Sequence, residues 1–285
     1  MVKNFPGHYR LLDFEGVEVE IPISKEDDYL YFLGKDKASI RDYYNQNGYV
    51  VVRDLIPVEL CDEVQASFEA EVKPFRGFIY RQITANPERH IFTDHGFLLN
   101  TILNIQSVDR RRFRTFREAG LALLTHQAMQ GLVTTILRDP GKLVQSMYFE
   151  GNPETPPHQD TYYLDAEEIG RMTGAWVALE DISPGAGRFY VYPKSHLIDM
   201  AKNGKNFDIA FHHERYIELV KQVVREHELV CRAPALLDLQ CVNGMAVHHP
   251  KDLSKARHRA IFFAETRFPH AFQLAKRIAI KLLTR

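Results

Sequence analysis

The chain has 285 residues, 45% of them hydrophobic and 26% charged, with a formal net charge of −1. That composition supplies a sizeable core and excludes a disordered or low-complexity chain. The near-neutral charge excludes a global field that would draw in nucleic acid or a membrane surface. No stretch approaches the roughly 20 apolar residues of a membrane span, and MVKNFPGHYR lacks the apolar run of a leader. Three cysteines, Cys61, Cys231 and Cys241, lack metal-type spacing and fit free thiols in a reducing compartment. The expectation is therefore a cytoplasmic protein without a nucleic-acid or membrane partner, whose oligomeric state the sequence leaves open.

In chain order, residues 1–35 carry short apolar pieces with Pro22 and Gly34 and are expected to wrap over a larger body. From Asp36, DKASIRDYYNQNG reads as an amphipathic helix stopped by Gly48. YVVVRDL is a β-rich run near 49–55, after which Pro57 opens the helical pattern PVELCDEVQASFEAEV. Residues 109–138 read as a long helical region, broken or bent near Gly120 and Gly131. Beyond Pro140 the texture changes to short β-rich runs, among them KLVQSMYFEG, GAWVALEDI, GRFYVYP, GMAVHH and RAIFFAETRF, separated by Gly, Pro and Asn. A polar, helical insert is expected at 197–228 and a C-terminal helix at 270–285. With no linker to divide it, the chain reads as one domain over 1–285: a mostly helical part (1–139) and a strand-rich core (140–268). Helices first and many short strands later predict a mainly β fold, an antiparallel double sheet or barrel with flanking helices.

The segment PPHQDTYYL, 156–164, holds the chemistry. Residues i and i+2 of a strand project to one side, so an extended 158–160 sends His158 and Asp160 together into the same space. Two histidines and a carboxylate leaving open positions are the ligand set of non-haem Fe(II) oxygenases. A His-x-Asp pair is a weak motif alone. A second match, His212-His213-Glu214, lies in the polar insert and reads as a solvated helix face.

The order of several segments strengthens the first pair. HQDTYYL, then GAWVALEDISPGAGRFYVYPKSH, and far downstream HHPKDLSKARHRAIFF resemble the phytanoyl-CoA dioxygenase family of Fe(II)/2-oxoglutarate oxygenases. DYYNQNGYVVVRDLIPVELCDEV is similar to that family's N-terminal helix–strand–helix, and the likeness spans about residues 40 to 265. It implies a double-stranded β-helix (jelly-roll, cupin-like) core. It also implies Fe(II) held by His158, Asp160 and His248, and 2-oxoglutarate anchored by Arg259, eleven residues beyond His248. His249 is the alternative distal ligand, and Lys194 stands where the family usually has glycine.

The implied reaction consumes O2 and 2-oxoglutarate, releases CO2 and succinate, and hydroxylates an aliphatic C–H of a small or medium-sized metabolite. Desaturation, epoxidation and cyclisation are alternatives, as is a non-catalytic metal- or ligand-binding jelly roll. Asp160 fills the vertex that related halogenases leave to chloride. Trp176 is expected beside the cofactor, where it dries the site. Gln145, Met147 and Phe149 alternate along one strand face, where they meet 2-oxoglutarate or substrate or simply line the core. Tyr162 is expected on the substrate side. Arg188 either reaches into the pocket to hold an anionic group or sits on an exposed turn, and the arginines of DRRRFRTFR (109–117) either bind a phosphate, sulfate or coenzyme A moiety or form a solvated face.

Overall fold

The computed structural model describes residues 8–12, 16–28, 30–151, 155–164, 166, 172–182, 188–198, 200, 209–232, 239–242, 245–248 and 260–266. Strands β1 (His8–Leu12) and β2 (Glu18–Pro22) form an antiparallel ribbon, followed by β3 (Phe32–Leu33) and helix α1 (Lys37–Asn47). Next come β4 (Tyr49–Arg53), α2 (Val58–Ser67), the short strands β5 (Ile79–Tyr80), β6 (Pro87–Glu88) and β7 (Ile102–Leu103), then α3 (Arg114–Leu124) and α4 (Gln127–Leu137). The second half supplies β8 (Lys142–Phe149), β9 (Thr155–Gln159), β10 (Met172–Ala178), β11 (Phe189–Tyr192), α5 (Ile209–Glu226), β12 (Leu239–Val242), β13 (Met245–His248) and β14 (Ala260–Thr266). The expected C-terminal helix at 270–285 lies outside the described residues.

Seven strands pair in the order β3-β4-β12-β10-β14-β8-β7, all antiparallel except β3 with β4, and three more pair as β11-β13-β9. The pleat of the large sheet sorts its side chains. Val50 and Val52 of β4, Ala175 and Val177 of β10 and Tyr148 of β8 join the cluster formed with the helices, which includes Ile40, Val64, Phe116 and Val133. On the opposite face, Tyr49, Val51, Trp176 and Ala178 pack against Phe189 and Val191 of β11. The large sheet is thus covered by helices on one side and by the three-stranded sheet on the other. Helix α5, as expected for the insert, buries Tyr216, Ile217, Val220, Val223 and Val224 together with Val19 and Ile21 of β2, so the N-terminal ribbon packs in the same cluster.

The break in the long helical region comes at Thr125–His126, with Gly120 inside α3 and Gly131 inside α4. Gly120 is small because Ile105 packs where its Cβ would sit. The new helix starts at His126, whose Nδ1 accepts from the Ala128 N–H as an N-cap.

One turn bears directly on the site. Helix α1 ends at Gly48 with φ +77°, as its sequence position anticipates. A Cβ there would strike the His196 ring. The Lys194 N–H donates to Asn47 O (2.8 Å) and His196 Nε2 donates to Asn45 O (3.0 Å), so the end of α1 holds the turn at 194–198. Lys194 itself has φ +69°. A left-handed conformation costs a residue with a Cβ about 1–2 kcal/mol, while glycine adds about 0.5–1 kcal/mol of chain entropy. Lys194→Gly is expected to raise stability by roughly 0.5–1 kcal/mol, read as a higher Tm; a lower Tm would contradict the left-handed turn.

Candidate metal site

Strand β9 ends at Gln159, and Asp160–Tyr162 turns into a short 3-10 helix, so the 158–160 segment is less extended than expected. The pair nevertheless converges: His158 Nε2 lies 3.2 Å from Asp160 Oδ1. His158 Nδ1 is 2.8 Å from the Pro156 carbonyl. A carbonyl only accepts, so Nδ1 carries the proton and Nε2 presents its lone pair to the carboxylate. Two acceptors at that distance repel unless a cation joins them, either a proton on Nε2 or a metal ion.

The second oxygen, Asp160 Oδ2, is buried and has no hydrogen-bond partner among the described residues. An unsatisfied buried carboxylate oxygen beside an imidazole held by its far nitrogen is a pair of donors that a divalent cation can bridge. One imidazole and one hard oxygen suit Fe(II) among other metals. Among the described residues, no group of three or more His, Cys, Asp and Glu side chains comes together for a metal.

The expected distal ligand, His248, closes β13, the strand that pairs with β9; His158 stands opposite Ala246, and a register shift follows between Ala246 and His248. Arg259 and the alternative ligand His249 lie outside the described residues.

The structure also places the other expected site residues. Through the β14 register, Met147 and Trp176 flank position 262, while Gln145 and Gly174 flank position 264, so they share one face of the large sheet. That face packs on the three-stranded sheet through Trp176 and Phe189, whose ring centroids are 6.0 Å apart. Trp176 and Phe149 are buried, and Gln145 and Met147 are half-buried. Arg188 departs from expectation: at 2% exposure its Nε donates to Ile182 O (2.8 Å), Nη2 to Ile23 O (2.6 Å) and Nη1 to Pro22 O. Burial lowers its pKa to about 10, still charged near neutrality. All three guanidinium nitrogens are thus engaged with backbone carbonyls, tying the end of β2 to the loop after β10. Tyr162 stacks on Tyr216 with centroids 3.6 Å apart and planes 9° apart. In the arginine run, Arg114 pairs with Glu118 (3.0 Å) and Arg117 Nε donates to Gln106 O, beside a surface cavity of about 470 Å³.

Two side chains near the pair escaped the sequence reading. Tyr163 sets its ring edge-on to His158, with centroids 5.0 Å apart. His213, expected on a solvated face, lies 5.9 Å from Tyr163 and 6.2 Å from Tyr162 by ring centroids, and its Nδ1 is buried without a partner among the described residues. Burial, and the charge of a protonated His158, hold its pKa below the usual histidine range. The legible signal was spacing: His213 stands three residues before Tyr216, on the stripe that α5 buries.

Comparisons with known proteins show the family and the fold. The family described as Phytanoyl-CoA dioxygenase (PhyH) matches residues 44–218. Phytanoyl-CoA dioxygenase domain-containing protein 1 of Mus musculus is 37% identical over 78 residues, 26% of this chain and 27% of that protein. The protein of the same name from Danio rerio is 25% identical over 189 residues, 54% of this chain and 63% of its own length. In both, the match covers less than two thirds of the relative. The fold is shared with SnoN, a non-heme alpha ketoglutarate dependent epimerase from nogalamycin biosynthesis (TM-score 0.57, 15% identity, 81% of this chain and 83% of that one). It is shared also with EctD from S. alaskensis, solved with 2-oxoglutarate and 5-hydroxyectoine (TM-score 0.54, 14% identity, 80% and 75%). No described helix is long and apolar enough to cross a membrane.

The facing pair makes a pH prediction. Burial disfavours the charged imidazole, but the hydrogen bond and charge of Asp160 outweigh it and hold His158 above the usual range. A raised folded-state pKa contributes stability that is fully present below the unfolded value, about 6.5, and lost as pH rises through the folded one. The chelator-treated protein should therefore lose Tm relative to Asp160→Asn as pH rises above about 6.5, and divalent metal should bind more tightly over the same window. A Tm difference between the two proteins that does not change with pH would contradict the facing geometry.

Proposed function

The chain belongs to the phytanoyl-CoA dioxygenase family, and from that premise we propose that it is a non-haem Fe(II)- and 2-oxoglutarate-dependent oxygenase acting on a small molecule. The observation that carries the reading is the Nε2–Oδ1 pair of His158 and Asp160, 3.2 Å apart with the far imidazole nitrogen tied to Pro156. In this reading the two sheets are the halves of a jelly roll, and the cation sits between them.

His158 and Asp160 supply two ligands from one segment, and His248, on the adjacent strand β13, supplies the third. Arg259 holds the far carboxylate of 2-oxoglutarate through its two-pronged guanidinium, a fork that matches a carboxylate better than the point charge of lysine does. Bound iron with 2-oxoglutarate and O2 supplies the oxidising power for C–H cleavage, with release of CO2 and succinate. The protein's part is to orient and to exclude water. Trp176 and Phe149 form an apolar floor, Gln145 and Met147 lie half-buried on the same face toward co-substrate or substrate, and Tyr163 shields the ring of His158. Hydroxylation is the first outcome to test. An epimerase and the 5-hydroxyectoine-bound EctD are among the proteins of similar fold, so identification of the product is what assigns the reaction.

Anaerobic addition of Fe(II) and 2-oxoglutarate is expected to give a weak visible charge-transfer band, and oxygen is expected then to release succinate even without substrate. Asp160→Ala should abolish both. If wild type and Asp160→Ala bind iron equally and no succinate forms, the protein is a binding module. Metal stoichiometry should be lost in His248→Ala and kept in His249→Ala; the reverse would exchange their roles. Arg259→Ala should raise the 2-oxoglutarate requirement roughly ten- to hundredfold, the loss of charge-assisted hydrogen bonds, while iron binding persists. An unchanged requirement would remove Arg259 from that role.

A further inference from the structure

Strand β9 is paired on one side only, with β13, among the described residues. Backbone groups along its other edge need partners from elsewhere. At Gln159, the residue between the two ligands, one phenol serves both. The Gln159 N–H donates to Tyr216 Oη (2.8 Å), and the Tyr216 hydroxyl donates to Gln159 O (3.4 Å). The same ring stacks on Tyr162, two residues past Asp160. Tyr216 therefore touches the chain immediately before and shortly after Asp160. Its 2% exposure drives its pKa upward, so the hydroxyl stays protonated and can donate while it accepts.

The Gln159 side chain is anchored as well. Its Nε2 donates to Ser195 O (2.9 Å) and Ile198 O (3.2 Å), the carbonyls of the turn that the end of α1 holds in place. Helix α5 is fixed independently of β9 by Val220 and Val223, both 0% exposed, packed in the cluster with Val19 and Ile21. The backbone angles at Gln159 and Asp160 set how far apart the two ligand side chains fall, and Gln159 is gripped by its backbone and its side chain at once.

Resting on the metal reading above, we propose that Tyr216 is a positioning residue for the His158–Asp160 pair. By clamping the peptide groups of Gln159, it holds imidazole and carboxylate at the separation a single divalent cation requires. Without the hydroxyl, the Gln159 N–H and C=O lose their partner, and the pair must be brought to its bonding separation when metal arrives.

The test is Tyr216→Phe, which keeps the ring and its stacking and removes the hydroxyl. Metal-free protein is titrated with Mn(II) by calorimetry, with a thermal melt in parallel. The expected result is a dissociation constant raised about tenfold, the low end of what removing a supporting group around a metal site costs, with a Tm lowered by a few degrees because the buried Gln159 N–H and C=O are left unpaired. Val220→Ala loosens the same helix without touching Gln159; it should lower Tm and leave Mn(II) affinity unchanged. Equal affinity in wild type and Tyr216→Phe overturns the proposal alone, as does a loss in Val220→Ala as large as that in Tyr216→Phe. A wild type that binds no Mn(II) overturns the metal reading and this inference with it.

Discussion

In the His158–Asp160 pair a lone pair faces a carboxylate. The Pro156 carbonyl accepts the Nδ1–H hydrogen bond of His158, which leaves Nε2 with a lone pair toward Asp160 until a proton or a metal ion comes between them. Burial makes the arrangement costly to leave unmet, because Oδ2 of the same carboxylate also lacks a partner among the described residues. A cation resolves both deficits at once. The raised pKa of His158 and the metal reading are therefore two consequences of one electrostatic fact, with proton and metal competing for the same gap.

Keeping that gap open requires support from parts of the chain far from it. Gly48 ends α1 tightly enough for His196 to pack against it, and the turn so held offers the Ser195 and Ile198 carbonyls to Gln159. Helix α5 reaches the same residue from the other side through Tyr216. Between the sheets, Trp176, Phe189 and their neighbours form a dry layer, while the opposite face of the large sheet is given to helices.

Much of this was legible from residue order. The β-rich runs beyond Pro140 fold as strands, the Gly48 stop fell where φ is positive, and His158 with Asp160 stood out by spacing within an ordered set of segments resembling one family. What misled was local. A break or bend was expected near Gly120 and Gly131, yet Gly120 is there to admit Ile105, and the break falls between them at Thr125–His126, where the histidine caps the new helix. Arg188 offered charge beside a glycine-rich turn, and only the folded chain reveals that three backbone carbonyls surround it. His213 and Tyr216 sit in a polar-looking insert, and their role depends on which face of α5 meets β9, a tertiary fact that composition hides.

The central claim, that one cation joins His158 to Asp160, is most directly tested by anomalous-difference crystallography of crystals soaked in Mn(II). The account predicts a single strong peak within bonding distance of both His158 Nε2 and an Asp160 carboxylate oxygen, with His248 completing the contacts. A map with no peak between these two side chains, or with manganese bound only elsewhere, would contradict it.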